Sequence, residues 1–206
     1  MFTGLIREIG EVVATRGEKL QIKSSLNPKI GDSIAVNGVC LTVTDIFKDS
    51  FMVEVADETR SIIPEEKFRG LVHLEPAMQM GDRFEGHIVQ GHIDTIGKIS
   101  SISKGENGIS YSIEIDSKKS AFTVPKGSVT IDGISLTINW NKEGSFGVTI
   151  IPHTHQNTLF KSYKIGTLLN IETDLFARYI EHILEFKSSQ KKAHSWSELE
   201  SISMGY

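Results

Sequence analysis

The sequence has little cysteine, no excess of basic charge and no long apolar run. Cys40 is the single cysteine among 206 residues, which excludes an intramolecular disulfide framework and a metal site built from several cysteines. One free thiol fits a reducing compartment, so we expect a cytoplasmic protein. The net charge of −4, without basic clusters, argues against nucleic acid as a partner. No apolar run approaches the ~20 residues of a membrane span, so we expect no membrane partner. Residues 1–7 lack a basic region followed by a long apolar core, so we expect no signal peptide.

One segment of the chain occurs twice. Residues 36–43, VNGVCLTV, return as residues 131–138, IDGISLTI, at an offset of 95 positions. Weaker echoes keep the same order along the chain, and they join residues 3–10 to 90–97, 57–59 to 152–154 and 74–75 to 171–172. A period this long indicates a duplicated small domain rather than a solenoid. We therefore expect one domain at 1–86, a second at 87–173 and a separate C-terminal part at 174–206.

Each copy reads as a set of short strands. Residues 51–55 and 111–115 alternate apolar and polar side chains, which is typical of half-buried strands. Strands at ~8–12-residue spacing indicate a sandwich or a barrel, and closure into a barrel would leave so small a sheet without exposed edges. Short helices are predicted at 62–68 and 159–163.

The C-terminal part has a different periodicity. Leu175, Tyr179, Ile183 and Leu184 fall at helical spacing and predict a helix over residues 174–191, with Asp174 as its N-cap. The apolar face of this helix could pack on the chain's own barrel or on a second copy of the chain. The spacing does not distinguish the two.

Cys40 and Ser135 hold the same place in the two copies, each directly before Leu-Thr. A small nucleophilic side chain there could contact a ligand in a barrel mouth, or it could be an ordinary buried residue. Thr42 and Thr137 also correspond. Their hydroxyls could contact a ligand, although threonine in a strand often reflects β-propensity alone.

Four histidines cluster in the sequence. His87 and His92 flank the domain junction, and His153 and His155 would share one face of a strand. These spacings could hold a metal ion, but no set of cysteines and carboxylates accompanies them. A hydrogen-bonding or acid–base role is therefore favoured. Lys126 precedes the second copy of the repeated motif, where it could reach a ligand or remain a surface group.

Five motifs together resemble the riboflavin synthase alpha-chain family. They are MFTGLI at 1–6, NGVCLTV at 37–43, GHIVQGHID at 86–94, DGISLTI at 132–138 and IPHT at 151–154. The resemblance covers about residues 1–190. It implies an all-β fold of two tandem six-stranded antiparallel Greek-key barrels followed by a C-terminal helix, assembled as a homotrimer with sites between subunits.

The resemblance also implies a reaction. Two molecules of 6,7-dimethyl-8-ribityllumazine dismutate to riboflavin and 5-amino-6-(ribitylamino)uracil. The carbanion of the lumazine 7-methyl group delocalises into the heterocycle, so neither a metal nor an organic cofactor is expected.

Site residues follow from the same resemblance. The positions that match residues implicated in catalysis are Cys40, His92, Ser135, Thr137 and Asp174. The expected first-barrel contacts are Gly4, Leu5, Ile6, Cys40, Leu41, Thr42, Glu54, Val55, Ala56, Asp57, Glu58 and Thr59. Phe2 is expected to pack over the ring system of the ligand. The expected second-barrel contacts are Gly91, His92, Ile93, Lys126, Ser135, Leu136, Thr137, Ile151, Pro152, His153, Thr154, His155 and Gln156.

Two other functions are compatible with the fold. A non-catalytic lumazine- or flavin-binding protein would share it, but such proteins tend to lose second-barrel site residues. Here His92, Lys126, Ser135 and Thr137 are all present, which favours the enzyme. An oligonucleotide-binding barrel would need aromatic and positive side chains on one sheet face, and the acidic charge balance argues against it.

Overall fold

The computed structural model describes residues 1–188, which form two closed six-stranded antiparallel β-barrels. The first barrel comprises β1 (Glu8–Arg16), β2 (Lys19–Lys23), β3 (Ser33–Val36), β4 (Val39–Ile46), β5 (Ser50–Glu54) and β6 (Gly70–Pro76). The second comprises β7 (Thr95–Gly105), β8 (Gly108–Glu114), β9 (Ser128–Ile131), β10 (Ile134–Lys142), β11 (Ser145–Ile150) and β12 (Leu168–Thr173). The helices are α1 (Asp57–Ile62), α2 (Pro152–Asn157) and α3 (residues 175–188), with 3₁₀ turns at Glu65–Phe68, Ser117–Phe122 and Leu159–Ser162.

The two barrels have the same topology. The strand order is β1-β2-β5-β4-β3-β6 in the first, and β7-β8-β11-β10-β9-β12 repeats it in the second. The run β2-β5-β4-β3 is a Greek key. Bulges interrupt the pairing at corresponding places, between Val12 and Ala14 in β1 and between Ile99 and Ser101 in β7. Such bulges bend a strand and help a small sheet to close. The predicted fold class is confirmed.

The repeated motif forms β4 and β10, which alternate between the barrel core and the outer face. Leu41 is buried in the first core, whereas Cys40 is half-buried and Thr42 is exposed. Ser135 and Thr137 repeat this arrangement in the second barrel. The period of two in a strand turns the side chains of Cys40 and Ser135 outward, so neither is an ordinary residue of the barrel core.

The turns that precede β4 and β10 bring the barrels together. A Cβ on Gly38 would lie 2.7 Å from the backbone nitrogen of Gly133, so the two backbones touch where no side chain fits. Beside them, the Lys67 ammonium lies 2.7 Å from the Asp132 carboxylate, and both groups are buried. A buried ion pair of this kind fixes relative placement more than it adds stability.

Reciprocal hydrogen bonds complete this junction. Asn170 Nδ2 of the second barrel donates to the Asn37 carbonyl of the first over 2.9 Å, and His73 Nδ1 of the first barrel lies 3.0 Å from the Asp132 carbonyl of the second. His73 and Asn170 are both fully buried. The same contact is thus made once from each repeat, which gives the two barrels a pseudo-twofold relation.

Helix α3 begins where the sequence predicts it. The Asp174 side chain accepts a hydrogen bond from the Phe176 N–H at 2.8 Å, which is the expected N-cap. The predicted end at Lys191 lies outside the described residues. Tyr179, Ile180 and Ile183 are 58%, 58% and 49% exposed, so the helix does not bury its apolar face on the barrels. Among residues 1–188, no helix is long and apolar enough to cross a membrane.

Candidate functional site

Each barrel receives the segment that precedes the first strand of the other barrel. The Ser135 N–H donates to the Gly4 carbonyl over 2.8 Å, and the Cys40 N–H donates to the Gly91 carbonyl over 2.9 Å. Both glycines have φ near +80°, and a Cβ on either would come within 2.6 Å of the Ser135 or the Cys40 Cβ. Only glycine fits there. The expected assignment of Gly4 to the first barrel and Gly91 to the second is therefore wrong.

Apolar side chains of the two exchanged segments also pack against the opposite barrel. Ile6 packs against the core of the second barrel, and Ile93 packs against the core of the first. Phe2 pairs with Val89 through backbone hydrogen bonds of 2.8 and 3.1 Å. The Phe2 ring is fully buried against Ala35 and Val89, so it is not exposed to a ligand as expected.

Two buried carboxylates hold the exchanged segments. Glu75 accepts from the N–H groups of Thr3 and Gly4 at 2.8 and 3.0 Å, and Glu172 accepts from those of Gln90 and Gly91 at 2.8 Å each. Burial raises the pKa of both carboxyls, that of Glu172 to about 7, while the N–H donors oppose the rise by stabilising the ionised form. The carboxylates thus fix the backbone that lines each pocket.

A cavity of about 370 Å³ opens beside Cys40. Helix α1 supplies Glu58 and Thr59 on one side, and the exchanged segment supplies His92 and Ile93 on the other. This volume lies within the range of small-molecule sites. A larger hollow of about 560 Å³ lies by Glu8 and Phe47, but it contains none of the predicted site residues.

In the second barrel, a histidine side chain lies within hydrogen-bond distance of Ser135. His87 Nδ1 lies 2.7 Å from Ser135 Oγ, and His87 Nε2 lies 3.2 Å from Thr130 Oγ1. Burial lowers the pKa of His87, and the negative charge of Asp174 offsets part of this effect. The imidazole is therefore held neutral between two hydroxyls, beside a carboxylate that would favour its charged form.

The site segments that follow β5 and β11 are helical. His153 and His155 lie in α2, so the prediction that their rings share one face of a strand is wrong. The hydrogen bonds from Asn157 Nδ2 to the His153 carbonyl (2.8 Å) and from Thr158 Oγ1 to the Thr154 carbonyl (2.7 Å) stabilise the end of this short helix. Short polar helices carry no apolar period, which is why the sequence pattern missed them.

The other predicted contacts differ in accessibility. Leu41 and Val55 are buried in the first core, and neither lines the cavity beside Cys40. Lys126 is exposed, and its N–H donates to the Ile138 carbonyl over 2.7 Å, three residues along β10 from Ser135. The exposed or half-buried remainder comprises Leu5, Thr42, Glu54, Ala56, Asp57, Leu136, Thr137, Ile151, Pro152, Thr154 and Gln156.

Sequence reasoning missed the strongest polar contacts of the site. The resemblance names His92 among the catalytic residues, whereas no pattern in the sequence indicates a partner for His87. Glu75, Thr130 and Glu172 were not singled out for chemistry, although the match of Leu74-Glu75 to Ile171-Glu172 in the repeat could have drawn attention to the two carboxylates. Within residues 1–188, no group of three histidine, cysteine or acidic side chains is placed to hold a metal ion.

Comparison with known proteins gives consistent matches. A family model described as "Lumazine binding domain" matches residues 3–77 and again 90–174. The chain is 43% identical over 193 residues to a riboflavin synthase of Actinobacillus pleuropneumoniae, with 89% of this chain and 90% of the relative covered. It is 39% identical over 201 residues to the riboflavin synthase of Bacillus subtilis, with 93% of each covered. The crystal structure of LumP complexed with riboflavin has a similar fold, with a TM-score of 0.73 at 19% identity over 84% of this chain and 99% of that one.

Proposed function

The chain belongs to the riboflavin synthase family, and from this premise we propose that it converts two molecules of 6,7-dimethyl-8-ribityllumazine into riboflavin and 5-amino-6-(ribitylamino)uracil. The enzyme then acts as a transferase that moves a four-carbon unit from one lumazine to the other. The groups that we assign to catalysis are Cys40, His92, Ser135, Thr137 and Asp174.

The observation that carries this proposal is the duplication of the motif that forms the site. One repeated motif presents Cys40 against Gly91 in the first barrel and Ser135 against Gly4 in the second. Two copies of one site motif suit two copies of one ligand. Their differences at the thiol and the hydroxyl allow the two ligands to take different roles.

The reaction depends on the orientation of the two lumazine rings more than on an added reagent. Loss of a proton from the 7-methyl group leaves a carbanion that the heterocycle itself delocalises. Holding two such rings in a reactive arrangement can contribute roughly 7–11 kcal/mol, because a bimolecular step becomes effectively unimolecular. Acid–base groups would add roughly 10²–10⁴-fold. The side chain beside the ring that accepts this carbanion, Cys40 or Ser135, would polarise or trap that ring.

The complete site needs a second subunit in this proposal. The exposed apolar residues of α3, among them Phe176, Ile180 and Ile183, offer a surface for self-association. A trimer held through α3 would place the first-barrel pocket of one subunit opposite the second-barrel pocket of its neighbour, with one lumazine in each.

A non-catalytic lumazine- or flavin-binding protein is the second candidate, because LumP has a similar fold. The His87–Ser135 contact favours the enzyme, since mere binding needs no neutral imidazole on a hydroxyl. The purified protein, incubated with the lumazine alone and a chelator, should produce riboflavin absorbance. Lumazine binding without riboflavin would instead support the binding protein, and neither binding nor turnover would contradict both candidates.

A further inference from the structure

The two pockets differ in more than the exchange of a thiol for a hydroxyl. The repeat places Ala35 and Cys40 where the second barrel has Thr130 and Ser135. Ala35 is buried against Phe2 and Val89, and its methyl group can neither donate nor accept a hydrogen bond. Only the second barrel therefore holds two hydroxyls that can bind the two nitrogens of one imidazole ring.

Building on the proposed function, we propose that Thr130, His87 and Ser135 form a proton relay, and that the lumazine in the second-barrel pocket is the one that loses its 7-methyl proton. Ser135 Oγ takes the methyl proton while its own hydroxyl proton passes to His87 Nδ1. The electron pair of the broken C–H bond stays on the heterocycle. Once the anion has added to the second lumazine, Ser135 gives its proton to the anionic adduct while His87 returns its extra proton to Ser135, so the relay ends as it began.

The hydrogen-bond partners of the ring support this role. His87 meets a hydroxyl at each nitrogen, at 2.7 Å for Ser135 and 3.2 Å for Thr130. A hydroxyl can donate or accept, so the ring can carry its proton on either nitrogen, or on both, without losing a hydrogen bond. Thr130 is fully buried and holds the ring at the nitrogen remote from Ser135.

His73 shows how a structural histidine differs. Its Nδ1 lies 3.0 Å from the Asp132 carbonyl, which can only accept, and its Nε2 accepts from the Leu159 N–H at 2.8 Å. These two partners permit one neutral tautomer and exclude the doubly protonated ring. His73 cannot relay a proton without breaking a hydrogen bond, whereas His87 can.

Electrostatics at His87 also suits a transient positive charge. Asp174 caps α3 and its carboxylate favours the charged form of His87, whereas burial favours the neutral form. The ring is thus neutral before the reaction and has a counter-charge close by when it becomes an imidazolium. This role places His87 as a positioning and relay residue that acts through Ser135.

The test separates proton removal from binding. The 7-methyl protons of the lumazine are followed by NMR in D₂O in the presence of the full-length enzyme, and the same preparations give kcat and the lumazine Kd. His87→Asn keeps a polar atom near Ser135 but cannot accept a proton. We expect it to lower both methyl exchange and kcat by about 10²-fold or more, with the Kd unchanged.

Two substitutions of Thr130 form a matched pair of test and control. Thr130→Val keeps the shape and removes the hydroxyl, and it should slow methyl exchange. Thr130→Ser, which restores the hydroxyl, should recover the rate lost in the valine variant. This pair also guards against misfolding of the His87 variant, because valine is nearly isosteric with threonine.

Wild-type rates of methyl exchange in both His87→Asn and Thr130→Val would overturn the relay while leaving the proposed function intact. A wild-type enzyme that forms no riboflavin would overturn the proposed function itself. A rise in Kd with kcat unchanged would show that His87 serves binding alone, and this too would contradict the relay.

Discussion

At the scale of single residues, hydrogen-bond partners decide which histidine is structural. His73 lies fully buried between the barrels, bonded through both ring nitrogens, and burial lowers its pKa to about 4. Its sequence neighbours do not reveal this. The contact with Asp132 joins residues 59 positions apart and exists only because the barrels meet at the two glycine turns.

Acidification should therefore weaken the fold through His73. The unfolded ring binds a proton near pH 6.5 and the folded ring near pH 4, so the unfolded state binds more protons between these values and stability falls as the pH falls through that window. The contribution of this group is about 3 kcal/mol. Urea unfolding of the wild type and of His73→Gln at pH 7 and pH 4 measures it.

The comparison with His73→Gln separates the effect of the His73 ring from that of carboxyl groups, which change the stability in the opposite direction as the pH falls. Burial raises the pKa of Glu75 and of Glu172, so their protonation stabilises the folded state over part of the same window. Both carboxyls are present in both proteins. The wild type should thus lose more stability on acidification than the variant, and an equal loss would refute the assignment to His73.

At the scale of elements, the repeat predicted the architecture but not its exchanges. Residues 36–43 and 131–138 share one pattern of apolar and turn residues. This pattern predicts two similar barrels, because alternation and turn residues are local properties of the sequence. The pairing of Gly4 with Ser135 is not local. It depends on how two finished barrels lie against each other, which no spacing in one copy encodes. For the same reason the His87–Ser135 contact could not be predicted.

Arg178 joins α3 to the segment that lines the Cys40 cavity. Its guanidinium donates to Asp94 Oδ1 at 3.1 Å and to Gln90 Oε1 at 3.0 Å, and it lies 3.6 Å from Glu172. The carboxylates of Asp94 and Glu172 are 9% and 2% exposed. The first turns of the helix and the pocket backbone are thus one hydrogen-bonded unit.

Replacement of Arg178 by methionine should destabilise the protein and loosen this pocket segment. Two nearly buried carboxylates would lose their cation, which should lower the free energy of unfolding by about 2 kcal/mol. The Gly91 amide, which donates to Glu172, should exchange faster with D₂O. Urea unfolding and amide exchange measure the two effects.

Arg69 provides the matched control. Its ion pair with Glu65 is 2.8 Å long, but the two side chains are 68% and 75% exposed. Arg69→Met should therefore change the stability by no more than about 0.5 kcal/mol. Equal changes in the free energy of unfolding for the two substitutions would show that the Arg178 contacts stabilise the protein no more than an exposed ion pair does.

At the scale of the whole molecule, the distribution of apolar surface separates two kinds of contact. The barrels meet through glycine backbones and a buried polar network, and they bury their own cores separately. Helix α3 instead leaves Phe176, Tyr179, Ile180 and Ile183 exposed on the described surface. A helix with an open apolar face gains stability when another copy covers that face.

Charges on that face should therefore dissociate the assembly. Each large apolar side chain that becomes buried contributes about 1.5–3 kcal/mol, and a buried aspartate without a partner reverses that gain. We expect the wild type to sediment as the proposed trimer and the double variant Ile180→Asp with Ile183→Asp to sediment as a monomer. Because each monomer still has both pockets but lacks the facing subunit, lumazine binding should persist while riboflavin formation is lost. A variant that stays trimeric would place the interface elsewhere, and a fully active monomer would show that one subunit brings the two rings together by itself.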